Sequence, residues 1–308
     1  MTIKINISED RIKLSQWMKK NYPSLSMVHL QKLCRIGEIR IDGRRVSAHE
    51  PMEMGNELKL PPYIEEYKAQ KGAHRYNDAD MESFRGWIIY EDDEILAINK
   101  PAGMASQGGT GIDKSIDTLA NIAMPEYGGN LRIVHRLDQE TSGVMIIAKG
   151  YDAAKAMADL FKERDVEKTY VAFVYGRIST PESVIRLPVM ETAERMVVSR
   201  AHGSKRAVTA YKVMDEAYGQ LSFVRLMPET GRTHQLRLHM AHIGNPIVGD
   251  FKYGRQGEFA RLKEAMDIER QLYLHSHTIQ LPGRPAIDAP MPEHFQKVCK
   301  FLNFGMKK

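Results

Sequence analysis

The chain has 308 residues, of which 43% are hydrophobic, and it is long enough to bury a full core in one large domain plus a small one. This composition excludes a disordered chain. With no run of eighteen apolar residues and no charged-then-apolar leader at the amino end, we expect no membrane span and no secretion signal. The net charge of +5 favours a polyanionic partner.

The two cysteines, Cys34 and Cys299, lie far apart and outside any paired spacing. They indicate a reducing compartment and neither a disulfide framework nor a zinc site. We therefore expect a cytoplasmic protein. We also expect it to act as a monomer.

The positive charge is concentrated at the amino end. Residues 1–60 contain eleven Lys and Arg against seven Asp and Glu, a net charge of +4 out of +5. This distribution makes the amino-terminal segment the first candidate for contact with a polyanion.

Two short helices are predicted in this segment. The first carries apolar residues at i, i+3 and i+4 and should end near residues 21–23, because Pro23 disfavours helical geometry at the residue before it. Ser24 or Ser26 is placed to cap the second, which should end at Gly37. The inward residues are Leu14, Trp17 and Met18 in the first helix, and Met27, Leu30 and Cys34 in the second.

A basic hairpin is predicted next. Its strands, residues 38–41 and 44–46, flank an Asp-Gly pair, which is typical of tight hairpin turns. This arrangement of two helices and a basic hairpin, which ends at residues 55–60, is similar to the RNA-binding domain of the S-four ribosomal protein family. The resemblance implies an α/β RNA-binding module over residues 1–60 that contacts RNA through Arg40, Arg44 and Arg45. The alternative is a small basic domain with solvated arginines.

Residues 61–85 begin with two prolines and continue without a clean period, so we interpret them as a linker. Alternating and apolar runs beyond them predict a strand-rich domain with a helix. The predicted strands cover residues 87–90, 95–99, 170–175, 184–187, 207–214 and 222–227, and the helix covers residues 153–164.

The stretch at residues 135–143, His-Arg-Leu-Asp-Gln-Glu-Thr-Ser-Gly, is the most informative of the chain. It places Asp138 on a polar turn between a predicted strand ending at Val134 and an apolar strand over residues 144–148. A carboxylate on a tight turn held by a rigid sheet is well placed for catalysis. On this stretch alone, a purely local Asx turn is the alternative.

A second segment, Gly-Arg-Thr-His-Gln-Leu-Arg-Leu-His at residues 231–239, continues through residues 244–250 to Tyr253 and Gly254. Together the two segments resemble the signatures of the RluA-type pseudouridine synthases, H-R-L-D-x-x-T-S-G and G-R-T-H-Q-[IL]-R-x-H followed by G-x-P-I-x-G-D-x-x-Y-G. Shorter matches at residues 99–103, 168–170 and 274–276 extend the resemblance over roughly residues 86–300.

The resemblance implies an RNA pseudouridine synthase, an isomerase that consumes no redox cofactor, metal or nucleotide. It is most like members that modify large-subunit ribosomal RNA. It also implies an α+β fold. The catalytic domain, residues 86–308, is then a mixed, mostly antiparallel sheet flanked by helices, with the active site in a cleft across it.

By the same resemblance, Asp138 is the catalytic nucleophile or general base. Arg237 is the fixed cation that holds its charged form, with Arg232 as the alternative.

Two further residues bind the nucleotide under this reading, after the uridine has been extruded from the RNA. Arg136 fills the gap that the base leaves, and Leu274 forms an apolar wall. Tyr170 offers a ring to the flipped uracil and a hydroxyl near the reacting atoms, and an ordinary core tyrosine is its alternative.

Three other functions are considered and disfavoured. A catalytically silent RNA-binding or ribosome-assembly factor would not need Asp138, Tyr170 and Arg237 together. A hydrolase or nuclease using Asp138 with histidines would need a second carboxylate. A metal enzyme would need more than the clustered histidines, because no H-E-x-x-H spacing or accompanying ligand set is present.

Overall fold

The computed structural model describes residues 2–4, 12–22, 25, 27–67, 76–109, 112–193, 195–254, 256–266 and 268–304. The chain forms two compact units, an amino-terminal unit of Met1–Asn77 and a carboxy-terminal unit of Asp78–Lys308. None of the described helices is both long enough and apolar enough to cross a membrane.

The amino-terminal unit packs two helices on short strands. Its elements are β1 (Thr2–Lys4), β2 (Ile12–Lys13), α1 (Leu14–Asn21), α2 (Met27–Ile36), β3 (Arg40–Ile41), β4 (Arg44–Arg45), β5 (Pro51–Met52), β6 (Glu57–Lys59) and a 3₁₀ helix over Pro62–Tyr67. Strands pair in the order β1-β6-β3-β4, and β2 pairs with β5. The buried core of this unit includes Leu14, Met18, Leu30, Leu33 and Leu58.

The two predicted helices and the hairpin are present. Asp42 and Gly43 both have positive φ angles, 48° and 77°, as a tight turn between β3 and β4 requires. The inward placement of Met27 is wrong, because this side chain is 45% exposed. Met27 is the first residue of α2, one turn before the buried stripe that Leu30 begins. Ser24 and Ser26 lie outside the described residues.

The segment 61–85, interpreted as a linker, contains helical structure at both ends. The 3₁₀ helix over Pro62–Tyr67 buries Ile64 completely in the amino-terminal core. The helix α3 (Asp78–Gly86) belongs to the carboxy-terminal unit and buries Phe84. Of the side chains that the structure describes, each of these helices buries only one completely, Ile64 or Phe84, which is too little to produce a visible apolar period.

The carboxy-terminal unit continues after α3 with strands and helices in mixed order. They are β7 (Ile88–Glu91), β8 (Ile95–Lys100), α4 (Ile116–Ala123), a 3₁₀ turn (Pro125–Tyr127), β9 (Leu131–Ile133), β10 (Ser142–Lys149), α5 (Tyr151–Glu163), β11 (Glu167–Tyr175), β12 (Glu182–Arg186), β13 (Val189–Glu191), β14 (Met196–Val198), β15 (Val208–Ala217), β16 (Leu221–Pro228), α6 (Gln235–His242), α7 (Gln256–Met266), β17 (Leu274–Gln280), β18 (Ile287–Asp288) and α8 (Glu293–Leu302).

A ten-stranded sheet forms the body of this unit, in the order β12-β15-β16-β11-β17-β10-β8-β7, with β9 on β10 and β18 on β17. All its pairs are antiparallel except β10 with β17. The predicted mixed, mostly antiparallel sheet is therefore confirmed. The six predicted strands between residues 87 and 227 are present, with ends shifted by at most three residues.

The single parallel pair lies directly after the stretch at residues 135–143. Ser142 and Gly143 are in register with His275 and Ser276 of β17. Gly143 has a φ of 111°, and a Cβ atom there would lie 2.1 Å from the carbonyl oxygen of Ser276. Only glycine allows β10 to approach β17 this closely, so the parallel pair depends on this residue.

Candidate active site

Asp138 lies on the loop that joins β9 to β10, and both sides of this loop are fixed. Before Asp138, the Ser106 hydroxyl donates to the Leu137 carbonyl (2.7 Å) and accepts from the Leu137 N–H (3.0 Å). After it, the Thr141 N–H donates to the Asp138 carbonyl (3.1 Å). The carboxylate itself is 20% exposed, so it is held in place and still reachable.

The side chain of His135 is fixed against α5 and β10 just before this loop. Its ring stacks on Phe161, with centroids 4.5 Å apart, and its Nε2 accepts a hydrogen bond from the Ile146 N–H (2.9 Å). Burial lowers the pKa of His135 to about 3, so the imidazole is neutral and free to accept. The side chain thus satisfies a backbone donor of β10 where β9 has ended.

Lys100, the last residue of β8, donates a hydrogen bond to the same loop. Its side chain is fully buried, and its ammonium group donates to the carbonyls of Pro101 (2.8 Å), Met104 (2.8 Å) and Gln139 (3.2 Å). Burial lowers the pKa of Lys100 to about 7, and the charge of Asp138 acts in the opposite direction. Through these three hydrogen bonds, Lys100 links the turn at residues 101–104 to the loop that carries Asp138.

Arg237 comes from α6 and places a buried cation beside Asp138. The side chain is 3% exposed, and its Nη1 lies 3.6 Å from Asp138 Oδ2 and 3.0 Å from Glu140 Oε2. Burial opposes the charge, but the hydrogen bonds and charge of Asp250 outweigh it and raise the pKa of Arg237. A guanidinium with a fixed orientation therefore faces the candidate nucleophile.

Asp250 holds Arg237 in that orientation, and sequence reasoning assigned it no role. Its two carboxylate oxygens accept from Nε and Nη2 of Arg237, each at 2.8 Å, in a bidentate pair. One of these oxygens also accepts from the N–H groups of Lys252 and Tyr253, both at 3.0 Å. The position of Asp250 in the second motif could have drawn attention to it. The spacing of the motif does not show that Arg237 is its partner.

Tyr170 enters the site from β11. The pairing of β11 with β17 shifts register between Thr169 and Tyr170, and such irregularities redirect a side chain. Burial raises the pKa of Tyr170 to about 12, and the negative charge of Asp138 adds to the effect. The phenol is therefore neutral at physiological pH and keeps its proton.

Asp138, Tyr170 and Arg237 line one cleft with a cavity volume of about 130 Å³. The structure brings together the five predicted residues of the carboxy-terminal unit along its walls: Arg136, Asp138, Tyr170, Arg237 and Leu274. Leu274 is buried at the start of β17, and Arg136 is exposed beside Asp138. Arg232 also lines the cleft, but its Nε donates to the Arg206 carbonyl, and Arg237 is the arginine that faces Asp138.

His234 also lines the cleft, and sequence reasoning gave it no individual role. Its Nε2 lies 3.8 Å from Asp138 Oδ2, and its Nδ1 lies 2.7 Å from the Tyr253 hydroxyl. Burial lowers the pKa of His234. Among the residues that the structure describes, no group of three or more His, Cys, Asp or Glu is arranged to hold a metal ion.

The three arginines predicted for RNA contact lie in the amino-terminal unit, on and beside the β3–β4 turn. Arg44 and Arg45 are exposed. Arg40 is half-buried and donates to the carbonyls of Gly37 (2.9 Å) and Gly43 (3.2 Å). Arg40 therefore stabilises the hairpin, whereas the side chains of Arg44 and Arg45 are exposed to solvent.

The chain is similar to known proteins over most of its length. The model of the RNA pseudouridylate synthase family matches residues 94–242. Ribosomal large subunit pseudouridine synthase C of Rickettsia typhi is 33% identical over 297 residues, covering 92% of this chain and 95% of the relative. The Vibrio vulnificus protein of the same name is 30% identical over 306 residues, covering 97% and 96%.

A solved structure shows the same fold. Human RNA pseudouridylate synthase domain containing 4 superposes with a TM-score of 0.65 at 27% identity, over 74% of this chain and 97% of the human one. The chain belongs to the RNA pseudouridine synthases, which are isomerases that convert uridine to pseudouridine in RNA. The predicted family and enzyme class are therefore confirmed.

Proposed function

We propose that this protein isomerises specific uridines of large-subunit ribosomal RNA, with Asp138 as the catalytic residue. The observation that carries the proposal is the placement of Asp138 in a cleft, 3.6 Å from a buried arginine that Asp250 holds in a fixed orientation. The choice of RNA is supported by relatives from several bacteria whose names specify the large ribosomal subunit. The proposal includes a cytoplasmic monomer.

The reaction breaks the bond between uracil N1 and ribose C1′, turns the base, and joins C1′ to uracil C5. The hydrogen on C5 leaves as a proton, and N1 gains one. Asp138 acts in the ionised form, either as a nucleophile or as a general base. The guanidinium of Arg237 supplies a fixed positive charge in a site of low dielectric, where such a charge has a strong effect.

The uridine must leave the RNA stack to reach Asp138, at a cost of a few kcal/mol. Arg136, exposed next to Asp138, is the side chain that takes the place of the base, since a planar guanidinium stacks well on neighbouring bases. The ring of Tyr170 and the side chain of Leu274 enclose the flipped uracil.

The amino-terminal unit holds the RNA under this proposal, as an S-four-like module whose core is residues 1–60. Arg44 and Arg45 contact phosphates, supported by their exposure and by the positive charge of this segment. The catalytic domain covers residues 86–308, and α3 extends it to Asp78.

The experiment uses large-subunit ribosomal RNA transcribed with tritium on uridine C5, because tritium is released when C5 bonds to the ribose. We expect release with the wild-type protein and none with Asp138→Asn, whose amide keeps the shape of the side chain but not its charge. Asp159→Asn, an exposed change on α5, is the matched control and should retain full activity. Turnover by Asp138→Asn would overturn the catalytic assignment.

The RNA class is tested separately, by mapping pseudouridines in cells with and without the gene. Loss of specific sites in large-subunit RNA is expected. Loss confined to small-subunit or transfer RNA would retain the chemistry and overturn the proposed substrate.

A further inference from the structure

His234 occupies an unusual backbone position directly before α6. Its φ of 54° and ψ of 19° lie in the left-handed region, which is unfavourable for a residue other than glycine. The conformation places the imidazole between the candidate nucleophile and Tyr253, and such strain is typical of functional sites.

The contacts of Tyr253 determine which nitrogen of His234 carries the proton. Burial raises the pKa of Tyr253, so the phenol keeps its hydrogen, and the ionised carboxylate of Asp138 on the Nε2 side can only accept. The hydroxyl hydrogen is then available to His234 Nδ1, 2.7 Å away. With Nδ1 as the acceptor, a neutral imidazole carries its hydrogen on Nε2, the atom that faces Asp138.

The surroundings keep the ring neutral. Burial lowers the pKa of His234, and the positive charges of Arg237 and Lys252 act in the same direction, whereas the charges of Asp138 and Asp250 oppose them. A neutral ring has a single N–H to donate, so the contact of Nδ1 fixes the direction of donation.

We propose that His234 is a positioning residue for the isomerisation, donating from Nε2 to the Asp138 carboxylate in the RNA complex, with Tyr253 selecting the required tautomer. The inference rests on the proposed function of Asp138. The Nε2 to Oδ2 distance of 3.8 Å is longer than a hydrogen bond, and catalytic contacts of this kind tighten when substrate binds. Arg237 and His234 would then hold the same carboxylate oxygen from two sides.

Two substitutions of His234 separate positioning from a general structural role. In His234→Asn, the side chain tolerates the left-handed backbone and replaces Nδ1 but is too short to reach Asp138. In His234→Gln, the amide nitrogen takes the place of Nε2. Single-turnover rates at saturating RNA should fall about 100-fold in His234→Asn, as expected for a misplaced catalytic group, and recover to within tenfold of wild type in His234→Gln. The Kd for RNA should stay within twofold in both.

Tyr253→Phe tests the selection of the tautomer. The ring and its position over Arg237, 5.4 Å from the guanidinium carbon, are retained, but the donor to Nδ1 is lost. The rate should fall at least about twofold, because the imidazole then divides between two tautomers. Adding Tyr253→Phe to His234→Asn should lower the rate no further, since Tyr253 acts on the reaction only through His234.

A rate for His234→Asn within twofold of wild type, or equal losses in the Asn and Gln variants, would overturn the inference. Denaturation midpoints of all variants identify any loss caused by unfolding. Asp138→Asn is measured in parallel: if it is inactive while His234→Asn is normal, only the role of His234 fails. If Asp138→Asn is active, the proposed function itself fails.

Discussion

At the scale of single residues, the site depends on the buried pair of Arg237 and Asp250. We expect Asp250→Asn to lower the free energy of unfolding by about 3 kcal/mol, because removing one partner leaves a buried charge without compensation. The single-turnover rate should also fall, since Arg237 loses the bidentate contact that orients it towards Asp138. Urea denaturation and tritium release measure the two effects, with Asp159→Asn as the control. Unchanged stability would show that Arg237 is held by other contacts.

Lys100 gives the protein a predictable dependence on pH. Its pKa is about 7 in the folded protein, against 10.5 for an ordinary lysine. Between these values the unfolded chain binds more protons than the folded one, so the contribution of Lys100 to stability rises with pH, by up to about 1.4 kcal/mol per pH unit. The unfolding free energy of the wild type, minus that of Lys100→Met, should therefore rise by about 2 kcal/mol from pH 7.5 to pH 9. A constant difference would contradict a depressed pKa.

The site residues that could be proposed from sequence are those at defined positions of the two motifs. Asp138 and Arg237 are of this kind, and the structure brings them together as expected. Asp250, His234 and Lys100 act through partners that are distant along the chain or through backbone groups. Their roles depend on which elements pack together, and no local spacing encodes that information.

At the scale of elements, the parallel contact between β10 and β17 depends on Gly143. Gly143→Ala should lower stability by at least about 2 kcal/mol, because the new methyl group would clash with the Ser276 carbonyl of β17. Gly128→Ala is the matched control, since Gly128 also has a positive φ, 59°, but its Cβ would meet only the Asn130 side chain at 3.7 Å. It should cost about 1 kcal/mol. Equal losses in urea denaturation would mean that backbone strain, and not the clash, dominates.

Elements differed in how clearly the sequence predicted them. The six strands predicted between residues 87 and 227 alternate or form apolar runs, and their bounds were close to those observed. In contrast, α6 was not predicted, although it carries Arg237. Six of its eight residues, Gln235 to Met240, are buried, so it has no polar face and no helical period that a sequence pattern could show. The helix is specified by tertiary contacts that only the folded unit provides.

At the scale of the whole molecule, the excess positive charge and the candidate active site lie in different units. The positive excess lies within residues 1–60, whereas the cleft is formed by residues 136–274 of the carboxy-terminal unit. The composition predicted two domains, but the division between Asn77 and Asp78 was not visible, because a short polar helix and a linker have the same composition. The division of labour predicts that charge changes in the first unit alter RNA affinity more than catalytic rate.

The double variant Arg44→Gln/Arg45→Gln tests this division in the full-length protein. Arg40 is left intact because it braces the hairpin through two carbonyls. Each lost phosphate contact lowers the steepness of log Kd against log salt by about 0.7 to 0.9, so the double variant should lose about 1.4 to 1.8. The single-turnover rate at saturating RNA should be unchanged, since neither arginine belongs to the unit that contains the cleft.

Lys155→Gln/Lys162→Gln removes the same charge from two exposed positions on α5 and is the matched control. Its salt dependence should equal that of the wild type, because a change in net charge alone removes no phosphate contact. If both double variants had the wild-type slope, the arginines of the β3–β4 turn would not contact phosphates, and the amino-terminal unit would act by another means. If both slopes fell together, the effect would come from the overall field of the protein and not from contacts at the hairpin.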